Sequence, residues 1–187
     1  MSRGKADSAP AQSTYLTGII AQLPEGCQRL WEQHSDVMLT APGSASKHQA
    51  WPGGYQDHLV ETMRLAEGMY QQLNDRRSLP FSLRSAQLVL FLHDLEKPFK
   101  YGDKEIFPDH PGLAKSDPEK FKELVMRTYE IKLDQEQSNA LKYIHGEGDD
   151  YQEQRVMGPL ATLCHCCDII SARLWPDQPL ASEAGFE

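Results

Sequence analysis

The sequence is poor in the features that mark secreted, fibrous, membrane-embedded or nucleic-acid-coating chains. It holds only four cysteines in 187 residues, three of them crowded into Cys164-His165-Cys166-Cys167. That arrangement does not make a disulfide framework and fits a reducing cytoplasm. Glycine (13) and proline (12) are too sparse for a fibrous or low-complexity chain. No apolar run reaches the roughly 20 residues that span a bilayer, and the N-terminus lacks the apolar segment of a signal peptide. Positive charge is in deficit: 19 Lys and Arg against 27 Asp and Glu leave a net charge of −8. No extended nucleic-acid surface is therefore expected, although a local basic pocket is compatible with this balance. No internal repeat is visible, and the length suits one well-buried core rather than two.

What the chain does have is apolar residues at helical spacing. Residues 1–14 are small and polar and read as a disordered leader, and residues 177–187 read as a loose tail. Between them, 15–176 reads as a single domain. Tyr15 to Leu23 has helical spacing ended by Pro24, and a short helix is expected over Gly26–His34. A Gly-, Ser- and Ala-rich loop, 40–53, leads into a long helix reaching about Asn74 with Leu59, Met63, Ala66 and Tyr70 on its core face. Ser82 can cap a helix that is apolar on nearly every side as far as Leu92, as a central helix of a bundle would be. Pro98 marks its end, and 99–115 reads as a long loop. Asp117-Pro118 opens another helix with Phe121, Leu124, Val125 and Tyr129 inward. A further one runs from Asp134 to Ile144, and the last begins near Gly158-Pro159.

Four polar residues fall where these helices are most apolar. His93 and Asp94 end the run Leu88 to Leu92. His58 lies beside the core face of the long helix. Asp168 sits among Cys164, Cys167 and Ile170. Desolvating such groups is costly unless a cation or strong donors meet them. Taken singly, such residues admit plain roles: the His93-Asp94 pair as polar groups capping a helix terminus and His58 as a structural histidine, just as Lys97 can be a cation at a helix C-terminus and Gly146 a helix cap. Cys164 and Cys167 have Cys-x-x-Cys spacing, but no second pair accompanies them, and small thiols pack well in helices.

The His93-Asp94 pair resembles the signature doublet of the HD superfamily of metal-dependent phosphohydrolases. The string from Lys47 to His58, with Gly53-Gly54 inside it, resembles the entry helix of HD exoribonucleases and related HD phosphodiesterases, in which the last His is the first metal ligand. Asp168-Ile169-Ile170-Ser171-Ala172 resembles the closing Asp-x-x-Ser-Ala of HD domains. These elements occur in the family order, and the likeness spans Ser44 to Trp175. It implies an all-α HD-domain bundle of about six or seven helices with a central metal site. It also implies that His58, His93, Asp94 and Asp168 are the metal ligands. His145 and His110, the latter in a His-Pro step, stand where relatives hold a second metal. Several relatives have two consecutive histidines at His145, whereas Gly146 follows here.

The resemblance further implies a metal-dependent phosphohydrolase acting on a nucleotide or other small phosphoester, with diesters slightly preferred. Asp94 and Lys97 would be catalytic, and Lys47, His48, Lys97, Lys100 and His145 would meet the substrate. Relatives that hydrolyse deoxynucleotides often carry Glu where this chain has Lys97. Mixed imidazole and carboxylate ligands suit Mn, Fe, Co, Ni or Zn, with Mg also eligible, as one or two ions. Three other readings stay open: a non-catalytic HD module binding a nucleotide or a protein, an HD-type di-iron oxygenase, and a metal-free helical scaffold. Neither membrane nor extended nucleic acid is an expected partner, and a homo-oligomer is left open.

Overall fold

The computed structural model describes residues 14–102, 104–151 and 155–180. Most of the expected leader (1–13) and tail (181–187) lies outside the described residues. Among the described residues there are nine α-helices and one short 3-10 turn, with no strand: α1 (Thr14–Ile20), α2 (Glu25–Thr40), α3 (Gly54–Arg76), α4 (Leu83–Leu92), α5 (Lys97–Tyr101), α6 (Leu113–Ser116), α7 (Pro118–Thr128), α8 (Gln135–Tyr143) and α9 (Pro159–Leu174). Seven of them run seven residues or longer and make the expected bundle.

Local chemistry marks the starts of α4, α7, α8 and α9. Ser82 Oγ accepts from Ser85 N–H at the start of α4, and Asp117 caps α7 through Lys120 N–H with Pro118 in the first turn. Asp134 and Gln137 form a reciprocal capping box on α8. Gly158 and Pro159 open α9. In α4, Ala86 to Leu92 are all buried, which puts this helix at the centre. Burying each large side chain such as Leu90 or Phe91 contributes about 1.5–3 kcal/mol. Around α4, α3 packs on α9, α9 on α8, and both α3 and α9 on α4.

Two stretches differ from the sequence expectation. Helix α2 continues six residues past His34 because Val37 and Met38 extend its buried face beyond the polar run Glu32 to Asp36. Residues 99–115 are not all loop. Pro98, which lacks an N–H and has its φ preset, occupies the first turn of α5 instead of ending helical structure. Residues His93–Glu96 form a hydrogen-bonded turn between α4 and α5, closed by Lys97 N–H donating to Asp94 O at 2.9 Å. This turn presents His93 and Asp94 sideways, toward α3 and α9.

The entry to α3 is equally specific. Gly53 has φ +85°, a left-handed conformation that a Cβ disfavours. At Gly54 a Cβ would sit 1.9 Å from Gln49 O, so only glycine admits the loop this close.

Candidate metal centre

His58 comes from the second turn of α3, His93 and Asp94 from the turn after α4, and Asp168 from α9. One ligand atom from each lies within 4.8 Å of every other. Both imidazoles and Asp94 are fully buried, and the Asp168 side chain is about nine-tenths buried. His58 Nε2 faces His93 Nε2 at 3.1 Å. Asp94 Oδ2 lies 3.4 Å from the former and 3.2 Å from the latter, and Asp168 Oδ1 lies 3.3 and 3.6 Å from them.

The donor set and its spacing fit a cation. His93 Nδ1 lies 2.7 Å from Leu90 O, a carbonyl that can only accept, so Nδ1 carries the hydrogen and a neutral ring turns its Nε2 lone pair inward. His58 Nδ1 is engaged likewise by Ser171 Oγ at 3.0 Å. Two imidazole lone pairs and two carboxylates therefore converge on one buried point. Acceptors crowd together in this way only around positive charge. Donors about 2.0–2.2 Å from one ion are separated from their neighbours by about 3–3.6 Å, the spacing found here.

In the metal-free protein, protons and lysine supply that charge. Burial alone would lower the His93 pKa, but the Asp94 and Asp168 carboxylates outweigh it and hold it up at about 10. Burial would raise the pKa of Asp94, yet His93, His58 and Lys97 pull it well below the usual carboxylate range. Burial would raise the pKa of Asp168 too, but the imidazoles of His145, His58 and His93 beside it pull it down. The Lys97 ammonium touches Asp94 Oδ2 directly.

Three more sequence-derived residues reach the cluster's edge. His145, just past α8, places Nδ1 3.2 Å from Asp168 Oδ2 and Nε2 3.7 Å from Asp94 Oδ1, with about half its side chain exposed. The His48 ring lies 5.7 Å from that of His58 and is half-buried, which lowers its pKa. Lys97 is the third. Other assigned residues have their contacts elsewhere. Lys47 is exposed on the loop, its backbone N–H donating to Ser44 Oγ. Lys100 lies over the Tyr101 ring. His110 is exposed and lines a cavity of about 410 Å³ with Lys120, Glu123, Leu124 and Arg127 of α7.

Several neighbours escaped the sequence reading. Lys122, buried on α7, donates from Nζ to His93 O at 3.1 Å and pairs with Glu119 at 2.7 Å, satisfying a carbonyl that the interrupted helix leaves open. Its one signal was a lysine beside Phe121 and three residues before Val125, at the edge of a core stripe. Glu96 is buried, and its burial, then Asp94, raise its pKa. Glu61 and Gln49 bond Ser171 behind His58. Glu61 is one turn along α3 from His58, a spacing that sequence alone could have flagged. Compared with known protein families, curated proteins and solved structures, the chain matches none.

Proposed function

We propose that this chain is a metal-dependent phosphohydrolase of the HD type, acting on a nucleotide or another small phosphoester, diesters slightly preferred. The observation that carries the reading is the convergence of two imidazole Nε2 atoms and two carboxylates beside the Lys97 ammonium. His58, His93, Asp94 and Asp168 would hold the ion, and the donor set suits Mn, Fe, Co, Ni or Zn. Such an ion, when bound, supplies Lewis acidity: it lowers the pKa of water and polarises a phosphoryl oxygen.

The chain's own residues supply the rest. Asp94 offers Oδ2 to the cluster while Oδ1 faces His145, so one carboxylate can both hold the ion and orient a water. Lys97, 15 % exposed, can turn its ammonium from Asp94 toward a phosphoryl group whose charge grows toward the transition state. His145 is open to solvent and hydrogen-bonded to Asp168, which suits it to hold or pass a proton at Nε2.

A non-catalytic module is the second reading. The direct contact of Lys97 with Asp94 favours it, because that ammonium and the His93 proton already balance two carboxylates. Elemental analysis combined with a screen of phosphomonoesters, cyclic nucleotides and dinucleotides separates the two. We expect bound transition metal and a turnover that chelation abolishes and metal restores. Bound metal with no turnover on any phosphoester would favour the module, and turnover indifferent to chelation would overturn the metal mechanism.

A further inference from the structure

Behind His58 lies a closed set of hydrogen bonds that the reaction itself does not use. Ser171 Oγ lies 2.5 Å from Glu61 Oε2, 3.0 Å from Gln49 Nε2 and 3.0 Å from His58 Nδ1. A hydroxyl has one hydrogen and two lone pairs. The hydrogen goes to the carboxylate, the shortest of the three contacts. One lone pair takes the Gln49 amide hydrogen, so the other must take a hydrogen from His58 Nδ1. Gln49 Nε2 also donates to Glu61 Oε2 at 3.0 Å, which fixes the way its amide faces, since the reverse would set two oxygens against each other. Gln49 Oε1 is thereby turned toward His48 Nδ1, 2.8 Å away, and accepts the hydrogen carried there.

The backbone is committed to this arrangement. Gln49 is 1 % exposed and has φ +46°, a left-handed conformation that non-glycine residues adopt only where their surroundings hold them in it. It is held there by Gln49 N–H donating to Pro176 O at 2.7 Å and by Gly43 N–H donating to Gln49 O at 2.9 Å. Gly54 makes room for the same carbonyl.

We propose that Glu61 and Gln49 are positioning residues that fix the hydrogens of His58 and His48 on Nδ1. His58 thereby presents a bare Nε2 to the cation, and His48 presents a bare Nε2 as a hydrogen-bond acceptor. His48 then suits a donor, such as a substrate hydroxyl or a water, rather than a phosphate oxygen. This narrows the substrate contact expected for His48 from the sequence and rests on the metal reading above for His58.

The test uses the full chain with Zn²⁺ as probe. Side-chain ¹⁵N NMR identifies the protonated nitrogen of His58 and His48 in metal-free and zinc-loaded protein, and a competing chelator reports zinc affinity. Wild-type protein should carry both hydrogens on Nδ1. In Glu61→Ala the Ser171 hydrogen is released toward His58, so Nε2–H forms should appear at both histidines in the metal-free protein. Zinc affinity should fall about 10–100-fold, the usual cost of losing an outer partner of a ligating histidine. Glu61→Gln, which keeps an acceptor oxygen, should recover most of both properties. In a Ser171→Ala background, Glu61→Ala should cost no further affinity at His58, because its route is gone; additive losses would mean that Glu61 acts some other way. Unchanged nitrogen signals in Glu61→Ala overturn the relay even if zinc binds. Wild-type protein that takes up no zinc overturns the metal reading instead, while the nitrogen signals still judge the relay.

Discussion

His58 and His110 look alike in sequence, each within a few residues of a Pro-Gly step, yet the fold treats them oppositely. His58 lies in a 23-residue helix packed against α4 and α9, where it is fully buried and has both ring nitrogens engaged. His110 precedes the four-residue α6, stays exposed and faces the basic side of α7. A short string can suggest a ligand, but a ligand needs neighbours that also converge. At His58, unlike at His110, the turn after α4 and helix α9 deliver a second imidazole and two carboxylates.

The sharpest way to break this contrast is to remove charge from the cluster. Asp94→Ala should abolish stoichiometric metal and turnover together, measured by elemental analysis and the phosphoester screen, whereas His110→Ala should leave both as in wild type. A loss in His110→Ala comparable to that in Asp94→Ala would erase the distinction.

Next in size is Lys97→Ala. Metal content should be kept while turnover falls by about two to three powers of ten, the roughly 3–4 kcal/mol of a preorganised transition-state contact. Lys97→Arg need not restore it, because a planar fork replaces a compact charge. Normal turnover in metal-loaded Lys97→Ala would remove the phosphate role.

His145 stands between the extremes, bonded to Asp168 yet half exposed. His145→Ala should weaken metal binding about tenfold, the lower end for an outer partner of a ligand. Metal titration that matches wild type, with turnover also unchanged, would put His145 in the same class as His110.

The smallest expected effect is one of protons. In the metal-free protein the fully buried His93 has its pKa raised from 6.5 to about 10, so the folded state binds this proton more tightly than the unfolded chain. The resulting stabilisation is fully present below pH 6.5 and is lost as pH rises toward about 10. Metal loading at neutral pH should displace that proton, releasing about one per ion, and binding should weaken as pH falls. Calorimetry in buffers of different ionisation enthalpy reads the release directly, and none would mean that His93 is not a ligand.

How much was legible in the sequence follows the same division. His93, Asp94 and Asp168 were conspicuous because each interrupts an apolar helix, and burial cost makes such interruptions informative. The capped starts of α4, α7 and α8 were local chemistry and could be read directly. Gln49 could not, because its left-handed backbone depends on Pro176 O, far along the chain. Lys122 was hidden for a related reason: its partner is a backbone carbonyl, which has no signature in sequence. The short α5 has no clear signal either, because a proline reads equally as the end of one helix and as the first turn of the next, which is where Pro98 lies.

Whether His58, His93, Asp94 and Asp168 hold one ion is decided by elemental analysis of metal-loaded protein after extensive dialysis. Wild type should retain at least one equivalent of a transition metal, and His93→Ala, with its helical circular dichroism intact, should retain far less. Wild type that retains none, or a variant that retains as much as wild type, would mean that these side chains do not form a metal site.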